Sequence, residues 1–572
     1  MEQYAGVEAF IEVLNANGVE HIFFNPGGEM GPILATIAKY RVSGKPAPRL
    51  ILCLDESVAL TAAHGHYMVS GRPQLVMVHA ELGTLQLGGA LHNAQWGRVP
   101  VILWAGSMAG GKRVNWKKEP FDQGLMVRNC VKWDHEIAAH ENIQDVLQKA
   151  FRIAYTEPCG PVYLTYPRDI LTRKIDKVPI SPSARASVYS GAPIDVDTLS
   201  RVAETLIEAE KPLIVAGYTG RHPETVALLV ELAETLCSAV LPSYVWMNFP
   251  TNHPLCVGME QILGSRKANP YITEADVVLA IDYDMPYAPA EGSPRPDAKI
   301  IQIDIDPLTQ GRPIWFRGAD IYIEADSREA IPALTRLIRQ KLTPAKRAKF
   351  CQRFSQPESR NKKQREEWHT LAMNSASEYP ISPDWLAHCI AEIVDEDTII
   401  VNHNISLSAS PTEQIDRTKP GTWLGCAAGS IQWALGAAFG AKVAAPDKTV
   451  VSLMTDGGFV WGCPVATLWS ARAYQAPFLS VIFNNQAYGF IRSLVERTSG
   501  EKKLSDQMAF EAGVDIMPPP DYATVAHSCG AYGKKVEDPA QVLPVLKEAI
   551  DQVRRGRAAV VDVRLEREHD WL

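Results

Sequence analysis

The stretch from Lys448 to Phe490, KTVVSLMTDGGFVWGCPVATLWSARAYQAPFLSVIFNNQAYGF, leaves this chain little freedom in how it folds. An apolar run, Val450 to Met454, breaks at Thr455-Asp456-Gly457-Gly458, a helical pattern follows Pro464, and a second apolar run, Phe478 to Phe483, breaks at Asn484-Asn485. Apolar runs bounded by Gly, Asp and Asn read as strand, turn, helix, strand. The crossover between parallel strands is right-handed, so both strand ends open on the same side of the sheet and Asp456 can meet the Asn pair there. A carboxylate, an amide oxygen and a backbone carbonyl just beyond suit a hard cation such as Mg²⁺, which takes oxygen ligands octahedrally and often binds through phosphate as well. Gly457 and Gly458 let backbone N–H groups approach a phosphate at the helix start.

A chain of 572 residues has room for about three domains of ordinary size, each with its own core. The formal charge of −8 would repel nucleic-acid phosphate and anionic membranes, so neither is an expected partner. The amino-terminal MEQYAGVEAFIEVL lacks the basic and apolar regions of a secretion signal, and no run of about 18 apolar residues suggests a membrane span. Ten cysteines without a C-x-x-C pair argue against a zinc site or a disulfide framework, and the expected location is cytoplasmic.

Strand and helix patterns alternate through residues 1–178: a helix from Gly6, then strands His21–Phe24, Leu50–Cys53, Gln74–His79 and Val99–Trp104. Alternation of this kind implies a parallel sheet covered on both faces, with function in the loops at the carboxyl ends of its strands. Asn25-Pro26-Gly27-Gly28-Glu29 and Asp55-Glu56 are two such loops. A Pro-, Ser- and Ala-rich linker, Val178 to Asp195, leads to a second α/β domain at 196–342, with strands Pro212–Ala216, Asp276–Ile281 and Lys299–Ile305 and no phosphate loop. Thr343 to Trp368 reads as a solvated helical connector, and a third domain occupies 375–572. The fold expected is α/β, three doubly wound parallel-sheet domains.

The Asp-Gly turn followed about thirty residues on by Asn-Asn resembles the metal-diphosphate motif of thiamine diphosphate (ThDP) enzymes, with Thr455 where that family usually has Gly. The segment Leu54 to Thr84, LDESVALTAAHGHYMVSGRPQLVMVHAELGT, is similar to the corresponding stretch of the benzoylformate decarboxylases. So is CAAGSIQW, Cys426 to Trp433. The separation of Glu56 from His79, and the intervals among Ser406, Ile431 and Asp456, fit without gaps.

The resemblance implies three domains of the pyrimidine-binding, middle and diphosphate-binding type. It implies Asp456, Asn485 and the Ala487 carbonyl as Mg²⁺ ligands, with Asn484 as the alternative amide. Ile405 and Ser406, with Gly457 and Gly458, would contact the diphosphate. Gly429 would offer its carbonyl to the aminopyrimidine, and Ile431 would be the branched prop that keeps the two rings bent together. Glu56 would hydrogen-bond the aminopyrimidine and promote loss of the thiazolium proton. His79 would be the pocket acid and base, and Gly28, Glu29, Phe490 and Ile491 would line the substrate pocket. His64, His66 and His92 are read as structural.

The implied activity makes or breaks the carbon–carbon bond beside a carbonyl: 2-oxo acid decarboxylation, or ligation and lysis of the acyloin or acetolactate synthase kind. A 2-hydroxyacyl-CoA lyase-like enzyme and a non-catalytic binding protein on the same fold are the alternatives. Gly28 stands where benzoylformate decarboxylases carry Ser, and Ala280 to Pro289 supplies no second pocket His, which moves the balance from decarboxylation towards ligation. The implied partners are a small 2-oxo acid, aldehyde or acyloin and further copies of the chain, as a homodimer or homotetramer. FAD in the middle domain has no motif to support it.

Overall fold

The computed structural model describes residues 3–72, 74–107, 122–177, 194–260, 269–284, 293–308, 318–405 and 407–567. Three parallel sheets dominate it, and a separate short antiparallel pair, Gln3–Ala5 against Lys174–Asp176, ties together the two ends of the first domain. The first sheet runs, in spatial order, Arg49–Leu52, His21–Phe24, Leu75–Val78, Ile102–Ser107, Val162–Pro167 and Trp133–Glu136. The third runs Trp423–Gly425, Ile399–His403, Val450–Thr455, Leu479–Asn484, Ala559–Arg564 and Tyr532–Val536. Numbered by their sequence within each domain, both sheets have the strand order 2-1-3-4-6-5. The middle sheet, built on Pro212–Ala216, is a shorter version with order 2-1-3-4-5.

That order fixes where ligands can go. In the first and third sheets, strand 1 lies between strands 2 and 3, so the order of strand addition reverses there and leaves a crevice at the carboxyl ends. Asn25–Glu29 and His79 flank the crevice of the first sheet, and His403–Ile405 and Asp456 flank that of the third.

Most strands match the sequence pattern within a residue or so, because alternating βα units with buried apolar runs leave few other registers. The strand expected at Val99–Trp104 is displaced to Ile102–Ser107. Arg98, with φ 54°, turns the chain just before it, and Val99 and Val101 are buried in the approach to the sheet. The charged connector is one helix, Pro344–Asn374, started by the Thr343 side chain accepting from Lys346 N–H.

The first and third domains dock through equivalent helices, Glu56–Ser70 and Trp433–Ala444, each standing between strands 2 and 3 of its own sheet. The contact is backbone against backbone. A Cβ on Gly440 would stand 1.8 Å from the Ala62 carbonyl oxygen, and one on Gly65 would stand 2.1 Å from that of Ala437. Any side chain at either position would have to push the two helices apart. The same contact sets the start of one helix, with Glu56, and the loop before the other, with Ile431, in a fixed relation.

Candidate active site

Asp55 caps the first helix of that pair, accepting from Ser57 N–H at 2.8 Å and Val58 N–H at 3.2 Å. Glu56 is therefore the first helical residue, and the capping role belongs to Asp55. It is 6% exposed, Oε2 accepts from the Asn25 amide at 3.1 Å, and Oε1 fills the space where Gly83 has no side chain: a Cβ there would stand 2.6 Å away. A buried carboxylate with one donor on one oxygen retains the capacity to accept or share a proton at the other.

The loop that supplies Asn25 also supplies Glu29. Its carboxylate reaches His79 Nδ1 at 2.9 and 3.0 Å and accepts from Ala80 N–H at 3.2 Å. Two glycines make this approach feasible. A Cβ on Gly106 would lie 1.9 Å from Glu29 Cγ, and one on Gly27 would lie 2.3 Å from His79 Nδ1. Glu29 is thus turned inward, its side chain 10% exposed, while His79 remains 37% exposed. With Nδ1–H donated to the carboxylate, the lone pair of Nε2 is the free end of the ring. Gly28 is exposed in the same turn.

A second cluster forms around Asp456 at the carboxyl end of Val450–Thr455. Thr455 is the N-cap of the short helix Asp456–Trp461, its hydroxyl accepting from Gly458 N–H at 3.3 Å, so the residue that departs from the family pattern does local structural work. Asp456 is fully buried; Oδ1 accepts from Gly457 N–H at 2.9 Å, and Oδ2 has no protein partner. Burial pushes its carboxyl up to about 7, opposed by the Gly457 N–H and reinforced by the Asp562 carboxylate, which burial itself raises to about 6.

The two asparagines divide cleanly. Asn484 donates to Asp562 at 2.7 Å and accepts from Gln486 N–H at 3.1 Å, which uses both ends of its amide. Asn485 is fully buried, holds only a 3.4 Å contact from Ala487 N–H, and has an unpartnered Nδ2. Rotation of that amide presents its oxygen instead. Gln486, at φ 56°, turns the chain so that Ala487 and Tyr488 come back beside the cluster. A Cβ on Gly457 would meet the Tyr488 ring at 3.0 Å. Phe490 is half-buried and Ile491 is 47% exposed at the start of the helix that follows.

The loop before the Trp433 helix joins this cluster: a Cβ on Gly458 would be 3.4 Å from the Ile431 carbonyl oxygen. Asn93 of the first domain holds the same loop from the other side, donating to the Ser430 carbonyl at 2.9 Å and accepting from Ser430 N–H at 3.3 Å. Gly429 is exposed and Ile405 half-buried. Ser406 lies outside the described residues.

The structure therefore gathers the candidate residues into two groups: Glu56, Glu29 and His79 with Asn25, and Asp456, Gly457, Gly458, Asn485, Ala487 and Ile431. Among the described residues no hydrogen bond or ion pair joins the two. Asn25 and Asn93 carry no motif of their own in the sequence. Each sits in a segment already singled out or close to one, and only the pairing across 31 and 337 residues shows its use.

Comparison with known proteins identifies the three domains. Residues 5–126 match the N-terminal TPP binding domain of thiamine pyrophosphate enzymes, 199–334 their central domain and 407–563 their C-terminal TPP binding domain. The chain is 28% identical to a probable acetolactate synthase large subunit of Methanocaldococcus jannaschii, covering 95% of this chain and 90% of the relative. It is 27% identical to a benzoylformate decarboxylase of Pseudomonas aeruginosa, covering 95% and 96%. Among solved structures, a ThDP-dependent 4-hydroxybenzoylformate decarboxylase of Rhodococcus jostii superposes with a TM-score of 0.78 at 24% identity, covering 99% of this chain and all of that one.

Proposed function

Given that the chain belongs to the ThDP-dependent enzymes, the superfamily of the benzoylformate decarboxylases and acetolactate synthases, we propose that it uses Mg²⁺ and ThDP to break or form the carbon–carbon bond beside a carbonyl of a 2-oxo acid, with ligation to a second carbonyl as its main outcome. The observation that carries this reading is the unpartnered Asp456 Oδ2, fully buried beside an underused Asn485 amide and within reach of the Asp562 charge. Oxygen donors and uncompensated negative charge fit a hard dication.

Asp456, the Asn485 amide oxygen and the Ala487 carbonyl would hold Mg²⁺, and Gly457, Gly458, Ile405 and Ser406 would approach the diphosphate. Ile431 and the Gly429 carbonyl would contact the rings. When bound, ThDP supplies an electron sink for the charge left when the bond beside the carbonyl breaks. Glu56 would hold or move a proton through Oε1, its other oxygen being fixed by Asn25. His79 would present Nε2 to the substrate carbonyl while Glu29 fixes the tautomer and the ring. Glu29 is therefore a positioning residue rather than part of the pocket wall.

Two observations favour ligation. Gly28 offers no hydroxyl, and within the described part of the middle-domain loop, Ala280 to Asp284, Asp282 and Asp284 are taken up by Arg221 and Arg98. His79 would then serve proton transfer at the substrate carbonyl without help from that loop, and slow protonation there would favour reaction with a second carbonyl. The remainder of that loop, from residue 285, lies outside the described residues.

Exposed apolar side chains flank both clusters: Leu54, Leu82 and Leu85 near Glu56, and Val460, Trp461, Val465 and Trp469 after Asp456. Patches of this kind bordering polar sites mark association surfaces, and a second copy of the chain would cover them. No described helix is long and apolar enough to cross a membrane.

The test is direct. With ThDP and Mg²⁺ and a panel of pyruvate, benzoylformate and acyloins, NMR should show carbon–carbon ligation products from 2-oxo acids. Aldehyde alone would refute the ligation preference, and no turnover on any of them would refute the enzyme. Glu29→Gln should lower kcat by about 10- to 100-fold, less than the roughly 10²- to 10⁴-fold of a group that itself transfers the proton because Glu29 acts through His79, with ThDP affinity unchanged. Equal kcat in both proteins would show that His79 needs no carboxylate to hold it.

A further inference from the structure

Glu20, His21 and His66 stand at the far end of the first sheet from the crevice. His21 opens the strand that Phe24 closes, and His66 lies in the later turns of the helix that Glu56 begins. One ligand atom from each of the three lies within 4.8 Å of the others, the one such trio of carboxylate, imidazole or thiol groups among the described residues. The two imidazole rings are 5.2 Å apart, centre to centre. His21 Nδ1 and His66 Nε2 are both buried with no hydrogen-bond partner, and His66 is only 1% exposed.

A buried nitrogen without a hydrogen-bond partner destabilises the fold, and here two stand on adjacent rings beside a carboxylate. Both rings are neutral at neutral pH: burial lowers His21 to about 4 and His66 to about 3, so their lone pairs are free. The supporting contacts suit a ligand role. Ser70 Oγ lies 3.1 Å from His66 Nδ1, and accepting Nδ1–H there leaves Nε2 as the donor atom. Glu20 Oε1 pairs with Arg72, leaving Oε2 unclaimed by that ion pair.

We propose that His21 Nδ1, His66 Nε2 and a Glu20 carboxylate oxygen form a binding site for a transition-metal dication of the Zn²⁺ class, completed by water. Two imidazoles and one carboxylate select Zn²⁺, Co²⁺ or Ni²⁺ over Mg²⁺ or Ca²⁺, which prefer oxygen alone. Tetrahedral bonds of about 2.0–2.1 Å require donors roughly 3.4 Å apart, so a trio within 4.8 Å must draw in by at most about 1.4 Å. Glu20, whose side chain is 52% exposed, is the member free to move. The ion would tie the start of strand His21–Phe24 to the Glu56 helix from the side opposite the crevice. Arg72, the positive neighbour, opposes it.

The site is separate from the Asp456 cluster, so its test is run on protein already loaded with ThDP and Mg²⁺. Equilibrium dialysis against Zn²⁺ should show about one saturable ion per chain, and Co²⁺ should give the visible absorption of a low-coordinate nitrogen and oxygen site. His66→Ala should abolish both, Glu20→Ala should weaken binding about tenfold or more, and Arg72→Met should tighten it. Zn²⁺ should also raise the Tm of the parent protein and leave that of His66→Ala unchanged. No saturable uptake by the parent, or parent-like uptake by His66→Ala or by Glu20→Ala, overturns the assignment. Glu20→Ala alters an exposed side chain and keeps the test decisive if His66→Ala fails to fold.

Discussion

Glu56→Gln is expected to retain ThDP and the parent Tm while kcat falls by about 10²- to 10⁴-fold, the span that a positioned proton-transfer group contributes. The geometry separates shape from chemistry. An amide has nearly the volume of the carboxyl group, can still accept from Asn25, and occupies the same space beside Gly83. What it cannot do is pick up and release a proton. Single-turnover kinetics and cofactor retention after gel filtration, measured side by side, check the two halves of the expectation. Unchanged turnover would remove Glu56 from the reaction, and lost cofactor with intact turnover per bound ThDP would make it a binding residue only.

Asp456→Ala is expected to abolish Mg²⁺-dependent ThDP retention and, with it, at least 10³-fold of activity, since positioning of a bound group alone can contribute about 7–11 kcal/mol. The parent carboxyl is buried, is raised by that burial to about 7, and has one oxygen without a protein partner. Removing it relieves an isolated charge, so the apoprotein should be no less stable than the parent. A ligand that binds only the folded state raises stability by mass action, about 2.7 kcal/mol at a hundredfold excess over Kd. Thermal melts with and without Mg²⁺ and ThDP should therefore show a large rise for the parent and none for the variant. A parent-like rise in Asp456→Ala would move the cation elsewhere.

The motif around Asp456 was legible in the sequence because each part is local. Thr455, Gly457 and Gly458 form one turn, and a single crossover brings the asparagines to the same edge of the sheet. The sequence left Asn484 and Asn485 as alternatives, and they could not be told apart there because the difference lies in Asp562, 78 residues from Asn484 and on the next strand. The sequence singled out Glu29 for the substrate pocket, and the direction of its carboxylate, towards His79, was not legible there. Its carboxylate turns inward because Gly27 and Gly106 leave the space and because Leu75–Val78, which ends just before His79, pairs with the strand that ends before Asn25. His66 read as structural for lack of a motif register, and its two close polar neighbours, Glu20 and His21, come from another element.

By itself, the sequence determined three wound α/β units, the turns at their strand ends and the chemistry each turn can carry, since backbone turns and hydrophobic periodicity depend on neighbours within about a dozen residues. Only the tertiary structure decided which of those turns share a crevice, which carboxylate faces which imidazole, and how Gly65 and Gly440 bring two domains into backbone contact. Those outcomes depend on strand order and on close packing between segments hundreds of residues apart, and neither leaves a periodic trace along the chain.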